Sequence, residues 1–112
     1  MTFGIYLKQL RQVRNLRQQD LAKKINVSIP YVCDIEKDRR YPPDFLILQT
    51  WETQLNLNET ERAQFYNLAG IARNSLPPDI CKYLSDNPSA LTAIRRIMVL
   101  PEGYNWNKLT TT

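Results

Sequence analysis

Between Gln18 and Lys37, small, apolar and polar residues recur at spacings that suit recognition chemistry rather than bond making. Gln18 stands at the head of one short helical segment. Ala22 falls four residues on, where a larger side chain would hold a crossing helix away. Asn26 follows after four more, at a point where the backbone needs the left-handed region, which Asn enters more readily than most residues. Val32 and Ile35 then return one apolar edge of a second segment toward a core. Two short helices joined by a tight turn can set the second helix into the DNA major groove. The chemistry on offer is hydrogen bonding, ion pairing and apolar contact with phosphates and base edges.

Composition argues against other chemistries. With 0 histidines the chain lacks the commonest general base and the usual serine or cysteine triad. Its glycines, Gly4, Gly70 and Gly103, are scattered, so no phosphate-cradling loop is available. Cys33 and Cys81 lie far apart and, without histidine, make no zinc site; they read as reduced thiols. No catalytic residue, metal ligand or cofactor is expected, and the chain is expected not to be an enzyme. Carboxylate or lysine chemistry is the one enzymatic route left open.

At 112 residues, with 43% hydrophobic and 23% charged residues, the chain has the profile of a soluble globular protein with its own core. No apolar run approaches the ~18 residues a membrane span needs. The start, MTFGIYLKQLRQ, lacks the basic region and long apolar stretch of a secretory signal. The expectation is a cytoplasmic, nucleoid-associated protein with no membrane partner. The net charge of +4 is unevenly spread. Through Pro43 there are nine basic residues against four acidic ones; from Asp44 onward there are six against seven. The positive excess thus lies with the two-helix segment, as a phosphate-facing surface requires. A solvated charged face would look the same.

The elements that must position this segment read as successive helices, with no alternating strand pattern. Thr2 can cap a first helix running to about Arg14, with Phe3, Leu7 and Leu10 on its buried edge. Asn15-Leu16 breaks it. A second helix from about Gln18 to Ile25 buries Leu21, Ala22 and Ile25. Ser28 is a good N-cap for the third, with Pro30 in its first turn and Asp38 at its end. Tyr41-Pro42-Pro43 forces an extended stretch. A fourth helix from about Asp44 presents Phe45, Leu48, Trp51 and Leu55. Asn58 with Glu61 three residues on is a capping-box variant opening a fifth helix to about Ala72. A sixth opens at Pro77-Pro78-Asp79. A seventh opens at Asn87-Pro88 and continues to about Leu100, with Leu91, Ile94, Ile97 and Met98 on its apolar edge. Tyr104 to Thr112 shows no period, although Tyr104 and Trp106 are types that pack against something.

Phe3 to Pro43 resembles the helix-turn-helix family of phage repressors and XRE-type regulators. The matching pieces are Leu10-Arg11, Leu16 to Ala22 (LRQQDLA), Val27-Ser28 and Tyr31 to Pro43 (YVCDIEKDRRYPP). The resemblance implies an all-α fold: a five-helix lambda-repressor-like domain over residues 1–72, with additional C-terminal helices in 73–112. It implies that Gln18 bonds a DNA phosphate and helps orient helix three, where helix-end amides also favour an anion. It implies a partly buried ion pair between Arg11 and Glu36. Lys37, Arg39 and Arg40, following helix three, would contact phosphates, which supply affinity but little sequence information.

Helical phase indicates what else could reach the bases. With Val32 and Ile35 turned inward, Pro30, Cys33, Asp34 and Lys37 point outward, flanked by Ile29 and Tyr31 and headed by Ser28. The expected DNA-facing set is therefore Gln18, Ser28, Ile29, Pro30, Tyr31, Asp34, Lys37, Arg39 and Arg40. Several of these depart from the Gln, Arg, Ser or Lys usual in the family. Ile29 and Pro30 can offer only apolar contact, for instance to a thymine methyl. Asp34 could accept from a cytosine amine or simply pair with Lys37 or Lys23. Tyr31 could touch DNA or pack beside Arg39 or Arg40. Asp38 stands where the family often has glycine, and Arg17 where a capping Ser or Thr is common.

The expected function is sequence-specific binding of double-stranded DNA by a transcriptional regulator, a repressor of bacterial or phage type. The segment after Ala72 is expected either to form a homodimer or to complete the core. A protein partner such as a toxin, protease or co-regulator would supply control in so short a chain. The alternative is a protein-interaction module on the same scaffold, such as an antitoxin or adaptor, which Ile29, Pro30 and Asp34 favour.

Overall fold

The structure, a computed structural model, describes residues 1–110; Thr111 and Thr112, the end of the unpatterned tail, lie outside the described residues. It is all-α. Seven α-helices follow in order: α1 Phe3–Val13, α2 Gln18–Lys24, α3 Ile29–Glu36, α4 Phe45–Leu55, α5 Glu59–Ala72, α6 Pro78–Asp86 and α7 Pro88–Met98. A 3-10 turn covers Trp106–Leu109, and no strand occurs among the described residues. None of the described helices is long and apolar enough to cross a membrane.

The helix starts follow from capping chemistry. Thr2, Ser28, Asp44 and Asn58 each accept a hydrogen bond from the backbone N–H three residues on, satisfying a donor the helix leaves orphaned. Arg17 has no acceptor to offer α2. There Asp20 works in the opposite direction, its Oδ2 accepting from the Arg17 amide at 2.9 Å. The Arg17 guanidinium beside Asp20 holds that carboxyl below its ordinary range.

The helix stops share one device. Asn15, Asn26, Asp38, Asn56 and Asn74 all adopt positive φ, between 51° and 58°. Each follows one of the first five helices. The next residue's N–H then reaches back to a carbonyl five positions earlier: Leu16 to Arg11, Val27 to Ala22, Arg39 to Asp34, Leu57 to Glu52 and Ser75 to Gly70. This is the Schellman closure, built here on Asn and Asp in place of glycine. It turns the chain sharply enough for consecutive helices to pack.

Two compact units result, Met1–Cys81 and Lys82–Thr112. The first holds the core: Phe3, Leu7 and Leu10 from α1, Leu21 and Ala22 from α2 with Ile25, Val32 and Ile35 from α3, Leu48, Trp51 and Leu55 from α4, and Phe65, Tyr66, Leu68 and Ala69 from α5. Gly4 lets α1 meet the end of α3. A Cβ there would collide with the carbonyl oxygens of Ile35 and Glu36 and with the Asp38 carboxylate. In the second unit α7 is amphipathic but buries no residue; Leu91, Ile94 and Ile97 are half-buried and Met98 is exposed. Tyr104 and Trp106 meet edge to face, ring centroids 4.8 Å apart, and both stay exposed.

An ion pair joins α1 to α5. Arg14 Nη2 and Nη1 donate to the Glu61 carboxylate at 2.8 and 3.2 Å, and Arg14 Nε donates to the Leu55 carbonyl at 2.8 Å. The Arg14 hydrogen bond holds the Glu61 carboxyl below its ordinary range, with the Asn58 amide assisting. A depressed folded-state pKa stabilises the fold above the unfolded value, and that contribution disappears as pH falls through the folded value. Wild type should therefore exceed Glu61→Gln in melting temperature at neutral pH. The gap should narrow through the acid limb of a pH series of thermal melts. A gap independent of pH would contradict the assignment.

Candidate nucleic-acid interface

Helix α3 is held from beneath by Val32 and Ile35 and presents its other face to solvent. Ser28 Oγ accepts from the Tyr31 amide at 3.2 Å, and Pro30, lying in the first turn, costs no helical hydrogen bond. Ser28, Ile29 and Pro30 are exposed at the leading end, Ile29 to 48%. Lys37 is exposed at the trailing end. Tyr31, Cys33 and Asp34 are half-buried.

Behind this face lies a buried polar cluster. Arg11 Nε and Nη2 donate to the two Glu36 carboxylate oxygens at 2.7 and 3.0 Å, with side-chain exposures of 11% and 3%. Arg11 Nη1 also donates to the Leu16 carbonyl at 2.9 Å, tying the α1–α2 turn to the same cluster. The pair thus locks α1, α2 and α3 together. Glu36 Oε1 accepts a further bond from Gln18 Nε2 at 3.1 Å. That bond orients the Gln18 amide, whose second N–H remains to donate.

Asp34 pairs with neither Lys37 nor Lys23, the local partners considered from the sequence as the alternative to a base contact. Its carboxylate oxygens lie 3.9 Å from Arg39 Nη1 and 3.7 Å from Arg40 Nε. The left-handed Asp38 is the reason. It folds the chain back so that the Arg39 amide bonds the Asp34 carbonyl at 2.8 Å, bringing the next two cations beside Asp34. Tyr31 packs between two neighbours: its ring meets Trp51 edge-on at 6.2 Å, and the Arg40 guanidinium sits over it at 5.1 Å. Tyr31, Asp38, Arg39, Arg40 and Tyr41 line one shallow concavity.

The structure brings four of the nine residues of the sequence-derived set into mutual contact. Gln18 joins Glu36, while Arg39 and Arg40, just past α3, gather at Asp34, and Arg40 reaches over Tyr31 in the first turn of that helix. Sequence reasoning missed the supports of the loop after α3. Asp38 Oδ2 accepts from Thr2 Oγ1 at 2.6 Å and Asp38 Oδ1 from the Gly4 amide at 3.0 Å. The Pro42 carbonyl accepts from Arg73. These partners lie more than thirty residues apart in the chain, and no local spacing signals them.

A helix-turn-helix family model matches residues 7–61. The immunity repressor protein of Bacillus phage phi105 is 48% identical over 42 residues, which are 38% of this chain and 29% of that protein. The chain thus spans less than a third of that repressor's length. No solved structure matches this chain. With α2, the left-handed turn at Asn26 and α3 inside the matched span, residues 7–61 belong to the helix-turn-helix family of XRE type.

Proposed function

We propose that this protein is a sequence-specific DNA-binding transcription regulator, a repressor of bacterial or phage type, that reads the major groove with α3. The observation carrying this reading is the coincidence of an exposed α3 face with Lys37, Arg39 and Arg40 at its trailing end and an oriented Gln18 amide beside it. The immunity repressor name of the phage relative supports the same direction. No chemical step is needed: bound protein occludes or recruits polymerase. Ser28, Ile29, Pro30 and Tyr31 face the groove. Lys37, Arg39, Arg40 and Gln18 hold phosphates and set the register. A single domain of this size covers little DNA, so two copies on paired half-sites are proposed, joined through the residues after Ala72. The second reading, an antitoxin or adaptor, draws on the apolar tip at Ile29 and on the neutralisation of Asp34 by Arg39 and Arg40.

Salt separates the two. Fragments selected from random duplex DNA would be titrated with protein at several ionic strengths. Three cationic contacts per protomer predict a slope of log affinity against log salt of about −3, doubled for a pair of protomers. Affinity indifferent to salt would favour the interaction-module reading. Gln18→Ala should weaken binding alike on all sequences. Asp34→Ala should change preference at one base pair if the carboxylate reads a base. If it only restrains Arg39 and Arg40, affinity should rise uniformly.

A further inference from the structure

We infer that Arg73, outside the matched helix-turn-helix segment, is a positioning residue for the DNA interface, clamping the loop that carries Arg39 and Arg40. The inference rests on the DNA-binding reading above. Arg73 is the C-cap residue of α5. Its Nε and Nη2 both donate to the Pro42 carbonyl, at 3.0 and 2.8 Å, and its guanidinium lies over the Tyr41 ring at 5.5 Å. Pro42 is buried, so its carbonyl needs a partner, and Arg73 supplies two donors to one oxygen.

The opposite end of the same loop is fixed by Asp38, whose carboxylate is held by Thr2 and the Gly4 amide at the start of α1. Between the two anchors stand Arg39 and Arg40, the second of them over Tyr31. A loop tied at both ends presents its cations already placed, so binding orders fewer side chains and less backbone. Free loop arginines would supply the same charge without the same geometry. The end of α5 thereby governs how many phosphates the loop after α3 can engage at once.

The test compares wild type, Arg73→Met and Arg73→Lys on the selected duplex across ionic strength, with tryptic cleavage after Arg39 and Arg40 in DNA-free protein as a second readout. Arg73→Met should lose affinity about 3- to 10-fold, the worth of lost hydrogen bonds at this site. Its salt slope should become shallower by about 1 as one phosphate contact is lost. Cleavage after Arg39 and Arg40 should accelerate while the global melting transition stays cooperative. Arg73→Lys keeps the charge but forfeits the paired donors, and should fall on the side of Arg73→Met. Wild-type slope and cleavage rate in a folded Arg73→Met would overturn the clamp while leaving the DNA-binding reading intact. Full recovery by Arg73→Lys would reduce the effect to charge alone and overturn positioning. A wild-type chain with no salt-sensitive binding would overturn the DNA-binding reading, and the role of Arg73 with it.

Discussion

Glu36→Ala should lower the free energy of unfolding by about 3–5 kcal/mol, because it leaves a guanidinium buried without its counterion. Arg11 donates two short hydrogen bonds to the Glu36 carboxylate in an environment nearly closed to water. Removing the carboxylate does not let Arg11 return to solvent, since its Nη1 is also bound to the Leu16 carbonyl at 2.9 Å. Chemical denaturation read by far-UV circular dichroism would measure the loss. A variant within about 1 kcal/mol of wild type would mean that the cluster is better hydrated than its burial indicates. The double substitution Arg11→Met with Glu36→Leu separates stability from function. Replacing both charges by apolar groups of similar size should recover most of the stability. It cannot recover the acceptor for Gln18 Nε2, so the repacked protein should fold well and bind DNA less tightly than wild type.

Trp51→Ala should cost a similar amount, about 3–5 kcal/mol, through lost burial and an unfilled cavity. Trp51 is 1% exposed and lies on the buried face of α4 with Leu48 and Leu55. Its ring also supports Tyr31 edge-on, so the loss should extend to the first turn of α3. Trp51→Phe keeps an apolar ring and should lose less. Equilibrium urea unfolding would check both, with an unchanged m-value confirming that the surface exposed on unfolding is the same. Trp51→Ala as stable as wild type would mean that the five-helix core closes without this side chain. The two substitutions are expected to differ in their DNA phenotype. Glu36→Ala frees the Gln18 amide from its acceptor, whereas Trp51→Ala loosens the support beneath Tyr31 and Arg40.

Local order was readable wherever the determining partner lies within a turn or two. Thr2, Ser28, Asp44 and Asn58 act on amides three residues away, so the helix starts follow from the residues themselves. The 3.6-residue period placed Leu7, Leu10, Leu21, Val32, Ile35, Leu48 and Trp51 on inward faces, and all are buried. The left-handed turn at Asn26 was legible for the same reason, whereas Asn56 and Asn74 perform the same task where nothing around them marks a motif. The union of Arg11 with Glu36 came from family resemblance, since twenty-five residues separate the two and neither helix alone specifies the meeting.

The amino-acid order alone thus determined an all-helical chain, the extents of its helices within a residue or two, and the helix-turn-helix that heads the functional reading. Those are properties of short stretches, set by capping, periodicity and backbone preference. Only tertiary structure decided that Asp34 faces Arg39 and Arg40, that Gln18 leans on Glu36, that Thr2 and Gly4 hold Asp38, and that Arg73 closes on Pro42. Each depends on where a turn delivers the chain and on which helix ends meet in space. Side-chain reach is a few ångströms, and the fold, not spacing along the chain, brings such partners within it.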